Sequence, residues 1–242
     1  MLFIQKTQPS QDLSNWIIDQ KSSGISLPKY SNLQTKNSNA GSFLAYDSLR
    51  KQLYKEQNGL CCYCMKKITP DNSNIEHFLP QSAFPEHEVD YYNLYLACRY
   101  SHGFSREKQH CDIAKENQLI SKFIGYNHAV ENRKCQDFFQ YTDDGYILPK
   151  KSGYATLQKF HQNYVSLTAQ EKELLGTIEV LNLNCESLLN DRMKFIKDLK
   201  ELVIPQLSDI PSVNKKVLFY ETESTKFAGV ALYFLRERLN KL

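Results

Sequence analysis

Apolar positions along this chain repeat either every three to four residues or in short clustered runs, and each pattern predicts an element. MLFIQ reads as an edge strand. Pro9-Ser10 offers a helix start, with Leu13, Trp16 and Ile17 at helical spacing behind it. Residues 21–41 are polar and without period, which predicts a loop. Helical spacing returns over residues 42–57, where Tyr46, Leu49 and Leu53 share a face and Gly59 sits where a C-terminal cap belongs. Ile75-Glu76-His77-Phe78 predicts a short strand ended by Pro80, and a second apolar run opens at Asn93-Leu94. Residues 118–139 look helical in parts, broken at Gly125, and FFQYTDDGYILP predicts a hairpin turning at Asp144-Gly145. Thr168-x-x-Glu171 is a capping box opening a helix through Leu181. Leu188, Leu189, Arg192, Phe195, Ile196, Leu199, Leu202 and Val203 trace a long amphipathic helix that Pro205 ends. Phe227, Val230, Ala231, Phe234 and Leu235 mark a last one. These stripes predict core packing, and the mixture predicts an α+β fold that is mainly helical.

Composition narrows the class. With 41% hydrophobic residues in 242, the chain can bury a sizeable core. No apolar run approaches the ~20 residues of a membrane span. The start has no basic segment followed by an apolar one, so no secretory signal and a cytoplasmic protein are expected. Seven cysteines then read as metal ligands or packed thiols, not as a disulfide framework. Net charge is only +3, which by itself implies no partner. Between Arg99 and Lys134, however, seven basic residues (Arg99, Arg106, Lys108, Lys115, Lys122, Arg133, Lys134) face four acidic ones.

Cys61-x-x-Cys64 has the spacing that one tetrahedral zinc takes from a single tight turn. Cys98 and Cys111 are the candidates for the second pair. Twelve residues, RYSHGFSREKQH, separate them and must loop out. His102 and His110 lie in that insert as alternative ligands. Cys62, between two ligands, is expected to point away, and Cys135 and Cys185 read as core residues.

Between the cysteine pairs lies a second constellation. His77 alone would read as a packed histidine, as His87, His128 and His161 do. Beside Glu76, Asn93, Asp112 and the cysteines it reads as a general base, since its ordinary pKa lies near neutrality. Glu76 and Asp112 offer carboxylates to a hard divalent ion. Asp112 directly follows Cys111, so a zinc there would position it. Lys115, one turn further, suits a phosphate contact. Asn93 is placed to fix a loop through backbone hydrogen bonds.

Ile75-Glu76-His77-Phe78, Asn93-Leu94, Cys98 and Cys111-Asp112-x-x-Lys115 together resemble the HNH (ββα-metal) endonucleases with flanking zinc cysteines. The pattern departs from the usual ending in two ways: Asp112 holds the last metal position, and the second knuckle is stretched. C-x-Y-C, I-E-H-F-x-P, N-L and H-C-D-x-x-K look like one branch, the HNH subunit (PtuB) of Septu-type anti-phage defence systems, which also occurs beside retrons. Residues 145–149 and 177–192 resemble that branch too. The resemblance implies a zinc-stapled ββα-metal core over residues 58–118, an N-terminal helical extension over 1–57 and a C-terminal helical region over 119–242. It further implies metal-dependent phosphodiester hydrolysis with Mg or Mn, on DNA first and RNA as the alternative. The implied partners are the Septu ATPase (PtuA) and, beside retrons, a reverse transcriptase with its RNA/DNA product. A zinc-stapled binding module without catalysis is the reading from another class.

Overall fold

The computed structural model describes residues 1–34, 40–121, 134–150 and 156–242. Helix α1 (Gln11–Ser22) begins where the Ser10 side chain accepts the Leu13 N–H at 3.3 Å, and its Leu13 and Trp16 are buried. It packs on α3 (Ala40–Glu56), which buries Leu49 and Leu53 and lays them against β2 (Leu94–Cys98). The Trp16 indole N–H donates to the Ser42 hydroxyl at 2.8 Å across that contact. Gly59 ends this stretch in the left-handed region (φ +63°), its N–H donating to the Tyr54 carbonyl at 2.9 Å.

The expected loop over residues 21–41 is partly helical. α2 (Tyr30–Gln34) forms there because Tyr30 and Leu33, three apart, are both buried. Residues 35–39 lie outside the described residues, as do the expected break at Gly125 and the basic Lys122 and Arg133. MLFIQ is not a strand: it finds no ladder partner, and side chains satisfy it instead. The Phe3 N–H donates to the Gln136 amide oxygen at 2.9 Å.

β1 (Ser73–His77) pairs antiparallel with β2, setting Ser73 opposite Cys98 and His77 opposite Leu94. One turn of helix, α4 (Asp112–Lys115), follows. The hairpin of β3 (Phe139–Tyr141) and β4 (Ile147–Pro149) forms as its sequence predicts. Gly145 turns it at φ +85°, and a Cβ there would meet the Leu189 carbonyl oxygen at 2.5 Å. α5 (Leu157–Gln162) leads to α6 (Ala169–Val180), whose capping box is present: Thr168 accepts from Glu171 N–H, and the Glu171 carboxylate accepts from Thr168 N–H. α7 (Glu186–Asp198) continues through a wider π turn to Val203 before Pro205 stops it. α8 (Ile210–Thr222) escapes the periodicity reading because it buries only Val213 and Tyr220 and exposes Leu218 and Phe219. Its own signal was the Asp209 cap and Pro211 in the first turn. α9 (Ala228–Leu239) is buried on most sides.

One core cluster runs through all three parts of the chain, joining Leu13 and Leu49 to Leu94 and to Leu235. A smaller one under α6 joins Leu148, Phe160, Leu167 and Leu175. Among the described residues, no helix is long and apolar enough to cross a membrane.

Lys6 fastens the N-terminal segment to the hairpin. Its ammonium donates to the Tyr91 and Leu94 carbonyls and lies 4.4 and 4.5 Å from the Tyr91 and Tyr95 ring centres. Burial pushes its pKa down to about 7, while Glu56 pulls it up. Below that value folded and unfolded chains both hold the proton, and the burial cost is fully present. Between about 7 and the ordinary 10.5, the unfolded chain holds the extra proton, so this group makes stability rise with pH. Lys6→Met should flatten that rise. The check is the thermal midpoint of both proteins across this range, where parallel curves would refute the assignment.

Candidate metal centre and catalytic site

The first cysteine pair sits on a tight turn closed by backbone bonds. Cys61 N–H donates to the Lys66 carbonyl at 2.9 Å, Met65 N–H to the Cys61 carbonyl at 3.1 Å, and Met65 is held at φ +61°. Cys62 N–H donates to the Leu96 carbonyl at 3.0 Å, which fixes the turn to β2. Cys98 is the last residue of β2, with its N–H 3.3 Å from the Cys61 sulfur. Cys111, at φ +61°, leads into α4, and its N–H donates to the Leu181 carbonyl at 2.9 Å.

These elements bring the four predicted sulfurs into one group, all within 4.8 Å of one another and all buried. Cys61 and Cys111 are 3.8 Å apart and Cys64 and Cys98 3.7 Å. A tetrahedral zinc with Zn–S of about 2.3 Å needs sulfur separations of about 3.8 Å. The donor set therefore fits zinc in chemistry and in size. Burial pushes the Cys111 thiol up, and the neighbouring sulfurs push it further, so four thiolates need a cation to coexist here. Arg192 adds fixed positive charge within range of Cys64 and Cys111, its guanidinium satisfied by Gly145, Leu183 and Asn184 oxygens.

Of the two alternative ligands, His102 is exposed, while His110 is buried with Nδ1 3.2 Å from the Cys111 sulfur. Desolvation lowers the His110 pKa, which favours a neutral ring beside the sulfurs. Cys135 and Cys185 are buried away from the group.

Glu76 and His77, adjacent on β1, point to opposite faces because side chains alternate along a strand. On the Glu76 face, its Oε1 accepts from the Tyr63 hydroxyl at 2.8 Å and pairs with the Lys115 ammonium at 2.8 Å. Burial drives the Glu76 pKa well above the carboxylate range, and the adjacent Asp112 carboxyl drives it further, against the pull of Lys115. Asp112 also lies 3.4 Å from the Asn74 amide. Two close carboxyl groups, one of them paired with an ammonium, are a donor set that a hard divalent ion would discharge.

On the other face, His77 Nε2 is 2.8 Å from the Glu88 carbonyl. The Gln81 amide nitrogen lies 3.0 Å from Nδ1 and 2.9 Å from Nε2, and the Tyr30 ring stands edge-on at 4.7 Å. Desolvation lowers the His77 pKa, so the ring is neutral at neutral pH. Asn93 ties down the chain after β1: its amide oxygen accepts from Leu79 N–H at 2.7 Å, and its amide nitrogen donates to the Leu79 and His87 carbonyls at 3.1 Å each.

Lys115 does not stand where a phosphate contact was expected. It is 1% exposed, and besides Glu76 it donates to the His77 carbonyl at 2.9 Å. The physical reason is Glu76, which would otherwise be buried without a counter-charge. Sequence reasoning missed Tyr63, Gln81, Glu88 and Tyr30. Tyr63 was within reach, being the residue between ligands in C-x-Y-C. Tyr30 and Glu88 come from distant segments and carry no local signal.

No family model matches the chain. Over 154 residues it is 28% identical to a protein of Vibrio cholerae serotype O1 biovar El Tor named "Retron Vc95 putative HNH endonuclease". At the level of family, the chain resembles an HNH endonuclease. The match covers 62% of this chain and 64% of that relative, so the chain spans less than two thirds of the HNH relative's length.

The sulfur group predicts about one zinc per chain by elemental analysis. Cys61→Ser or Cys111→Ser should leave the chain insoluble or open to protease, because a structural zinc contributes folding free energy directly. A well-folded protein free of metal would rule the zinc out. Zinc lost with His110→Ala but kept with Cys111→Ser would move the fourth ligand.

Proposed function

We propose that this chain is a metal-dependent HNH endonuclease that hydrolyses nucleic-acid phosphodiester bonds, DNA first, as the effector of an anti-phage defence complex with an ATPase partner. The observation that carries the reading is the carboxyl pair of Glu76 and Asp112 on one face of a hairpin whose next strand residue is His77, the whole pinned to four clustered cysteines. The named relative supports the nuclease class. The retron in its name supports a reverse transcriptase and its RNA/DNA product as further partners. Residues 58–118 form the nuclease core in this reading. Residues 1–57 and 119–242 supply the partner surface, a role supported by exposed Ile18, Leu27, Phe43 and Leu44 near the N-terminal helices.

Mg or Mn bound by Glu76 and Asp112 would supply positive charge to the scissile phosphate and the leaving oxygen. The protein's own groups do the rest. His77 accepts the proton of the attacking water at Nδ1, with its Nε2–H held by the Glu88 carbonyl. The Gln81 amide, now against the same ring, swings aside when water enters. Lys115 acts as a positioning residue, holding the Glu76 carboxylate and the His77 backbone together. Asn93 keeps the loop behind His77 in place. Since burial lowers the His77 pKa, the rate should rise with pH through an acid limb below the ordinary histidine value and level off above it.

His77→Ala should reduce cleavage by at least about 10²–10⁴-fold while zinc content and thermal midpoint hold. The assay is incubation of the chain, purified with its genomic neighbour, with plasmid and with total RNA, with and without Mg²⁺. Products should carry 5′ phosphates, because the 3′ oxygen leaves. Cleavage by His77→Ala at the parent rate would refute the base assignment.

Lys115→Met tests the positioning role separately. It should raise the Mg²⁺ concentration needed for half-maximal rate by about 10–100-fold, the usual cost of losing a residue that orients a metal ligand. An unchanged Mg²⁺ requirement would return Lys115 to a direct phosphate role or to none.

A further inference from the structure

The insert between Cys98 and Cys111 is far longer than a metal-binding turn needs, and its inner side is fully organised. Ser101 Oγ accepts from His110 N–H at 2.9 Å and donates to the His110 carbonyl at 3.2 Å, closing the loop at its base. The Gln109 amide donates to the Phe104 carbonyl at 2.9 Å. From outside the loop, the Asn182 amide donates to the Glu107 and Gln109 carbonyls at 2.9 and 2.8 Å. The Tyr100 hydroxyl donates to the Lys67 carbonyl at 2.7 Å, with the Lys66 ammonium 4.7 Å from its ring centre. Gly103, at φ +83°, turns the tip.

The outer side is built differently. Phe104, next to that turn, is 54% exposed. Arg99, Arg106 and Lys108 are exposed, and among the described residues none of them forms an ion pair. Glu107 is the loop's one acid, and its carboxylate accepts from the Ser105 hydroxyl. The loop thus presents an exposed aromatic ring among exposed cations on a backbone that is already fixed. It matches the chemistry of a base-stacking platform with phosphate contacts around it. The loop continues through Cys111 into Asp112.

We propose that this insert, residues 99–110, docks single-stranded nucleic acid, with Phe104 stacking on a base and Arg99, Arg106 and Lys108 holding flanking phosphates. The proposal deepens the nuclease reading and rests on it for the polymer class. It is tested by binding, so that the two can fail separately.

The experiment uses the full-length, zinc-loaded His77→Ala chain and fluorescence anisotropy. The probes are labelled oligo-deoxythymidine, oligo-uridine and a duplex of equal length, each over a salt series. Phe104→Ala should weaken single-strand binding by about fivefold or more with the salt slope unchanged, and barely alter duplex binding. Arg106→Ala with Lys108→Ala should reduce the single-strand salt slope by about 1.4. Preference between the two single strands identifies DNA or RNA as the source. Zinc content and thermal midpoint of these variants should match the parent, since the altered side chains are exposed. Single-strand binding unaffected by Phe104→Ala, or a parent that binds only duplex or nothing, overturns the proposal. If the active chain cleaves nothing yet Phe104→Ala weakens binding, the docking loop stands and the nuclease reading falls.

Discussion

Four sulfurs crowded into a dry interior set the terms for everything around them. Thiolates at these separations repel, and burial keeps them from bulk solvent that would screen them. A cation at their centre would reverse the balance and turn the most costly point of the core into its anchor. The turn carrying Cys61 and Cys64 is bonded to β2, Cys98 ends β2, and Cys111 opens α4. Hairpin and helix therefore share one origin. Asp112, one residue past Cys111, and Glu76, opposite Tyr95 three residues before Cys98, are held close to it.

Around that origin the polar groups follow a single rule: a buried charge is tolerated only with an opposite charge or a full set of hydrogen bonds. Lys115 is spent on Glu76, Arg192 on three oxygens, and Lys6 on two carbonyls and two aromatic faces. Each of these cations joins segments far apart in sequence. Lys6 ties the N-terminal segment to the start of β2, Lys115 ties α4 to β1, and Arg192 ties α7 to the β3–β4 turn. The helices outside the hairpin are thus fastened to it by ionic groups as well as by apolar packing.

The sequence disclosed what was local. Ser10, Thr168-x-x-Glu171 and Asp144-Gly145 are cues whose partners lie within a few residues, and they produced the elements expected of them. Cysteine spacing carried further, because few arrangements of four cysteines around a short hairpin satisfy one tetrahedron. MLFIQ failed because a short apolar run cannot reveal whether a neighbouring strand exists. α8 was invisible because two buried residues a heptad apart leave no stripe. Lys115, expected at a phosphate and found buried against Glu76, is a different case. A lysine near an expected phosphate site looks the same in sequence whether it faces substrate or a buried acid, and only the depth of α4 decides.

The placement of Glu76 and His77 on consecutive positions of one strand has an evolutionary consequence. Insertions and deletions in the turn over residues 69–72 or in the long second knuckle change loop length and leave both faces of the hairpin as they are. A single-residue slip inside β1 instead exchanges the faces, sending the acid toward Tyr30 and the imidazole toward Lys115, with the cysteine cage untouched. Such a slip would also take Glu76 away from Lys115 and leave that buried ammonium without its counter-charge, so the parity of the strand bears on stability as well as on the site. What distinguishes the two kinds of change is the register of β1 against β2, Glu76 opposite Tyr95 and His77 opposite Leu94, and not the count of residues from the first cysteine pair.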